Sequence, residues 1–94
     1  MSEKSTPPAA LSETLDARGM LCPLPVIRTQ ERVSAMPDGS ELTVLATDPG
    51  TLHDVPAWCR VHGHELLSTE RIDREIVVRL RVMHEPLERR TSTD

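Results

Sequence analysis

A chain of 94 residues with 37% apolar side chains has room for one core, and with no Phe, no Tyr and Trp58 as its lone aromatic, that core must be aliphatic. A formal net charge of −4 gives no general attraction for phosphate backbones, and the missing aromatics remove the platform on which single-stranded bases stack, so direct nucleic-acid binding is not expected. Two cysteines, a polar start at Met1-Ser2-Glu3-Lys4 and no long apolar run predict a cytoplasmic chain away from any membrane, with Cys22 and Cys59 as separate thiols and a monomer as the simplest state.

Residues 1–13 carry Pro7-Pro8-Ala9-Ala10 and few large apolar groups, a composition that cannot offset the entropy of ordering, so they read as a flexible arm. The domain expected from residue 14 to residue 83 opens with a short strand over Leu15–Leu21, with a turn at Gly19. That strand runs into Cys22-Pro23-Leu24-Pro25, which places a thiol where strand gives way to helix. Pro23 disfavours helical torsions at Cys22 and is itself preset for a first helical position, so Cys22 reads as the N-cap. A helix N-terminus favours an anion, and the thiol is therefore expected to be more acidic than a free cysteine. Pro23 and Pro25 lack amide hydrogens, which leaves the Leu24 N–H as the expected partner of the sulfur and makes the activation moderate.

From Pro23 to Met36, Val26, Gln30, Val33 and Met36 recur at helical spacing, Ile27 widens the stripe, and Pro37-Asp38-Gly39 stops the helix. Glu41 to Thr47 alternates with period two, the mark of a strand with one face on a core. After the turn at Asp48-Pro49-Gly50-Thr51, Leu52, Val55, Cys59 and His62 fall on one helical face that Gly63 closes, while Pro56 predicts a kink or a later start. Glu65 to Glu70 is a weak strand, Ile72-Asp73-Arg74 a tight connection, and Ile76, Val78, Leu80 and Val82 mark a strong last strand. Residues 84–94 read as a flexible tail. The order β-α-β-α-β-β, with one apolar side to each strong strand, predicts an α+β two-layer sandwich: a four-stranded mixed sheet with two helices on one face and Cys22 at an exposed edge.

Leu15-Asp16-Ala17-Arg18-Gly19, Cys22-Pro23-Leu24-Pro25-Val26, Thr47-Asp48-Pro49, Asp54-Val55-Pro56 with Trp58-Cys59, and Gly63-His64-Glu65 together resemble the TusA-like (SirA-like) sulfur-carrier family. The likeness runs from about Leu15 to Val82, and the Cys-Pro-x-Pro element is its most specific part. It implies a two-layer fold like the C-terminal domain of translation initiation factor three. It also implies a sulfurtransferase-type stoichiometric carrier in which Cys22 holds a persulfide or thiosulfonate, supported by Gly19, Pro23, Leu24 and Pro25. A rhodanese-like or cysteine desulfurase donor and an acceptor sulfur-relay protein would be its partners, in tRNA thiolation, cofactor synthesis or sulfur oxidation; no cofactor is implied. The position before the cysteine, frequently charged in relatives, is Leu21, which leaves Arg18 and Arg28 as the cations to support the thiol. The competing reading is a non-catalytic partner- or RNA-binding regulatory module of the same fold, in which Cys22 only caps a helix.

Other residues have blander readings. Cys59 on an apolar helix face reads as a buried small hydrophobe. Cys59, His62 and His64 have superficial ligand spacing without an evident fourth ligand, so no metal is expected. Arg79 and Arg81 read as a solvated sheet face, and Asp16 and Asp48 as turn or cap residues.

Overall fold

The computed structural model describes residues 11–84, so residues 1–10 of the expected arm and 85–94 of the expected tail lie outside the described residues, while Ser12 and Glu13 of that arm belong to the first strand and His84 of that tail bonds to Asp38 and the Met36 carbonyl. The elements are β1 (Ser12–Ala17), α1 (Leu24–Ser34), β2 (Glu41–Ala46), α2 (Thr51–His62), β3 (Glu65–Ile72) and β4 (Glu75–Arg81). Strand order is β1-β2-β4-β3, with β1 parallel to β2 and β4 antiparallel to both β2 and β3. This is the mixed four-stranded sheet that the element order predicts.

Alternation builds the core. Leu42, Val44 and Ala46 on β2 pair in register with Leu80, Val78 and Ile76 on β4, and all six are buried on one face. Val33 and Met36 from α1 and its exit, and Val55 and Cys59 from α2, cover that face. Fully burying one such side chain is worth about 1.5–3 kcal/mol, so this shared face dominates the stability of the sandwich. The opposite face carries Thr43, Arg79 and Arg81, with Arg79 and Arg81 both paired to Glu41, and Arg81 also to Glu65. Among the described residues no helix is long and apolar enough to cross a membrane.

Several boundaries depart from the expected ones, each for a local reason. β1 begins at Ser12 rather than Leu15, because the Leu11 N–H donates to Ser40 Oγ (3.0 Å) and the Leu11 carbonyl accepts from Glu41 N–H (2.8 Å), fixing the register early. It ends at Ala17. α1 begins at Leu24 with Pro23 as its N-cap, so Cys22 stands one residue before the cap rather than on it; the Cys22–Pro23 peptide is cis. α2 starts at Thr51 and carries Pro56 inside it, so no later start occurs. His62 is exposed, while Val55 and Cys59 of the expected apolar face are buried. β3 is a full edge strand, blunted by an irregularity between Leu66 and Ser68.

Candidate functional site

Cys22 follows the edge strand β1, on the connection into α1, and its side chain is exposed. The chain reaches this corner through a turn in which Met20 N–H donates to the Ala17 carbonyl (3.2 Å) and Gly19, at a φ of 82°, donates its N–H to Thr47 Oγ1 (2.9 Å). A side chain at that torsion would be strained, which accounts for glycine there. The loop after β2 then receives Cys22 itself. Asp48 Oδ2 accepts the Cys22 N–H at 2.7 Å, while its Oδ1 accepts Gly50 N–H at 3.1 Å in an Asx turn that leads into α2.

Among the described residues the thiol has one polar partner: Cys22 Sγ donates to Asp54 Oδ2 at 3.2 Å. Asp54 lies in the first turn of α2, where the helix dipole favours a carboxylate. A Cβ placed on Gly50 would sit 3.5 Å from Asp54 Oδ2 and 3.6 Å from Asp48 Oδ1, so the two carboxylates converge on one small space beneath the cysteine.

This geometry reverses the expected acidification. The Asp54 hydrogen bond, then partial desolvation, then the charges of Asp54 and Asp48 push the Cys22 thiol above its ordinary value. The α1 amides do not compensate. Leu24 N–H, the expected sulfur partner, donates instead to the Leu21 carbonyl (2.8 Å), Val26 and Ile27 N–H both donate to the Pro23 carbonyl (3.1 Å each), and Pro25 has none. Neither arginine offered as support reaches the thiol among the described contacts. Arg18 is bound through Nε to Asp16 (2.8 Å) and through Nη1 to Glu75 (3.1 Å), which holds the Asp16 carboxyl down at about 2, and Arg28 pairs with Glu31 (3.2 Å).

Pro25 is buried, and its carbonyl accepts the buried Thr29 hydroxyl at 2.7 Å, which ties down the first turn of α1. Leu21 beside the cysteine, and Leu24 and Ile27 in the first turn of α1, are apolar and 73%, 43% and 43% exposed. Cys59 sits in the core at 1% exposure, and burial pushes its thiol up to about 11.

A second cluster occupies the far ends of the helices. Cys22 meets the start of α2 while Trp58 Nε1 donates to Gln30 Oε1 (3.3 Å), so α1 and α2 run in the same direction. Past that contact lies a cavity of about 360 Å³ lined by Trp58, His62, His64, Met83 and His84. Trp58 stacks on His64 (5.0 Å between centroids), and His64 Nδ1 accepts the Met83 N–H at 3.0 Å. Among the described residues, no three His, Cys, Asp or Glu side chains are placed to hold a metal ion.

Asp54 and the Asp48–Cys22 contact are the parts of the site that sequence reasoning missed. Asp48 was read as a turn or cap residue, and Asp54 entered only through Asp54-Val55-Pro56 in the family resemblance.

Comparison with known proteins gives a consistent picture. The family model "Sulfurtransferase TusA" matches residues 13–82. A candidate sulfur carrier protein of Neisseria meningitidis serogroup A is 48% identical over 62 residues, which is 66% of this chain and 84% of that protein. A candidate sulfur carrier of Aquifex aeolicus is 38% identical over 76 residues, 78% of this chain but 39% of that longer protein. The crystal structure of a SirA-like protein from Desulfitobacterium hafniense superposes with a TM-score of 0.67 at 25% identity, covering 77% of this chain and 99% of that one.

Proposed function

The chain belongs to the sulfurtransferase TusA family, and from that membership we propose that it is a sulfur carrier whose Cys22 takes sulfane sulfur from one protein and relays it to another. The observation that carries this reading is the position of Cys22: an exposed sulfur on an outward corner, with no enclosing pocket among its described contacts, reachable by two partners in turn. Cys59, the other thiol, is closed off in the core.

In the transfer, Cys22 Sγ bonds to the outer sulfur of a donor persulfide and the donor's S–S bond breaks. Its electron pair leaves on the donor sulfur, which ends as a thiol by taking the proton that Cys22 gives up. Sulfur crosses at the zero-valent level, so no external oxidant or reductant enters. Delivery to an acceptor thiol repeats the step with Cys22 as donor. A rhodanese-like protein or a cysteine desulfurase supplies the donor persulfide, and the same step serves tRNA thiolation, cofactor synthesis or sulfur oxidation.

Intact-mass spectrometry after incubation with a persulfidated rhodanese domain tests the reading. One added sulfur is expected on the wild type and on Cys59→Ser, and none on Cys22→Ser. Sulfur retained by Cys22→Ser, or none on the wild type, would remove Cys22 as the carrier and favour a regulatory module.

A further inference from the structure

An exposed cysteine held by a carboxylate is an unusual resting state for a nucleophile. Only the thiolate attacks sulfur, yet Asp54 Oδ2 at 3.2 Å accepts the Sγ proton and would repel the charge left behind. Asp48 adds a second negative charge on the same side. Among the described residues no cation contacts the thiol: Arg18 and Arg28 are committed to Asp16, Glu75 and Glu31, and the α1 amides to backbone carbonyls. The described residues therefore set no positive charge against the thiol, where sulfur exchange calls for one. Next to Cys22 in the chain and in the first turn of α1, Leu21, Leu24 and Ile27 expose apolar surface suited to a protein contact.

Building on the carrier reading, we propose that Asp54 and Asp48 form an acidic clasp that keeps resting Cys22 protonated and selects a protein partner presenting a lysine or arginine beside its own reactive sulfur, on an apolar rim. That cation pairs with Asp54, takes it off the thiol and leaves a thiolate within the docked complex. Nucleophilicity then arises where the donor is. Small anionic sulfur compounds, which bring the wrong charge, react slowly.

Charge-matched thiosulfonate probes test this without an identified partner. Methanethiosulfonates bearing a trimethylammonium or a sulfonate group are reacted with the native Cys59→Ser protein, each rate divided by that for 2-mercaptoethanol. Both probes meet the same thiolate population, so their ratio cancels the thiol pKa and reads the field at Sγ. A carboxylate within about 6 Å predicts a preference of about tenfold for the cationic probe. Asp54→Asn should remove most of it. Glu65→Gln changes net charge equally but lies at the opposite end of the sheet, where Glu65 pairs with Arg81, and should leave the preference intact. Leu21→Lys, at a position 73% exposed, supplies the missing cation in cis and should both flatten the ratio and speed alkylation by neutral iodoacetamide near neutral pH. This variant keeps the test sharp should Asp54→Asn fold poorly.

A wild-type ratio near one, a preference for the anionic probe, or equal losses in Glu65→Gln and Asp54→Asn would overturn the clasp. None of these outcomes bears on whether Cys22 acquires sulfur, so failure here and failure of the carrier reading are separable.

Discussion

At Cys22 two electrostatic effects oppose each other. The N-terminus of α1 acts as roughly half a positive charge whose influence fades within a turn, whereas Asp54 is a whole negative charge in hydrogen-bond contact with the sulfur. The carboxylate prevails, and the thiol rises above its ordinary value. In the folded protein, iodoacetamide should label Cys22 and spare Cys59 until denaturant is added, as read by peptide mass spectrometry. The alkylation rate plotted against pH should move to lower pH in Asp54→Asn, because the variant removes the group that favours the protonated form. An unmoved profile would mean that Asp54 does not govern this thiol. Cys22 was legible in the sequence through its flanking prolines, which mark a strand-to-helix break. Asp54 was not, because its approach to the sulfur depends on how α2 is laid against α1 and leaves no trace in local spacing.

For the elements, legibility followed from how many sides of a strand are constrained. β2 and β4 are inner strands with one face buried, so period-two alternation is strict and their sequences declare them. β1 and β3 are edges. Ser12 and Thr14 of β1 are exposed, and the sequence gives no reason to extend the strand to Ser12; the bonds between Leu11 and residues 40 and 41 do that. Pro56 misled for a similar reason, since burial of Val55 and Cys59 against the sheet holds α2 together across the missing amide. The helix end was read correctly from Gly63, which takes a φ of 80° while the following His64 N–H donates to the Cys59 carbonyl (2.9 Å). A Cβ there would meet nothing within 4 Å, so Gly63→Ala should cost only the backbone strain, about 1 kcal/mol in urea denaturation, and Gly63→Asn less. A cost well above that would point to packing at this turn that the geometry lacks.

Across the whole molecule, Cys22 and the His64 cluster sit at opposite ends of the paired helices. Burial, with the charges of His84 and His62, lowers the His64 pKa below its ordinary value. Its Nδ1 must stay unprotonated to accept the Met83 N–H, and neighbouring His84 is fixed by the Met36 carbonyl and Asp38. The unfolded chain then takes up a proton before the folded one does, so stability is full above about pH 6.5 and falls as pH drops from there through the folded pKa. Urea midpoints measured from about pH 7 to about pH 5 should decline, with a shallower slope in His64→Gln. An equal slope in the variant would assign the pH dependence elsewhere. On the proposed carrier reading, function should be indifferent to this end of the molecule, because Cys22 lies at the corner where β1 meets α1. The central claim is that sulfur on Cys22 is mobile cargo. The direct measurement is cyanolysis of protein loaded by a persulfidated rhodanese domain and then freed of it, counting thiocyanate released per chain. The account predicts one equivalent from the wild type, with Cys22 returned to a free thiol, and none from Cys22→Ser. Sulfur that stays on the protein, or thiocyanate released equally by Cys22→Ser, would contradict it.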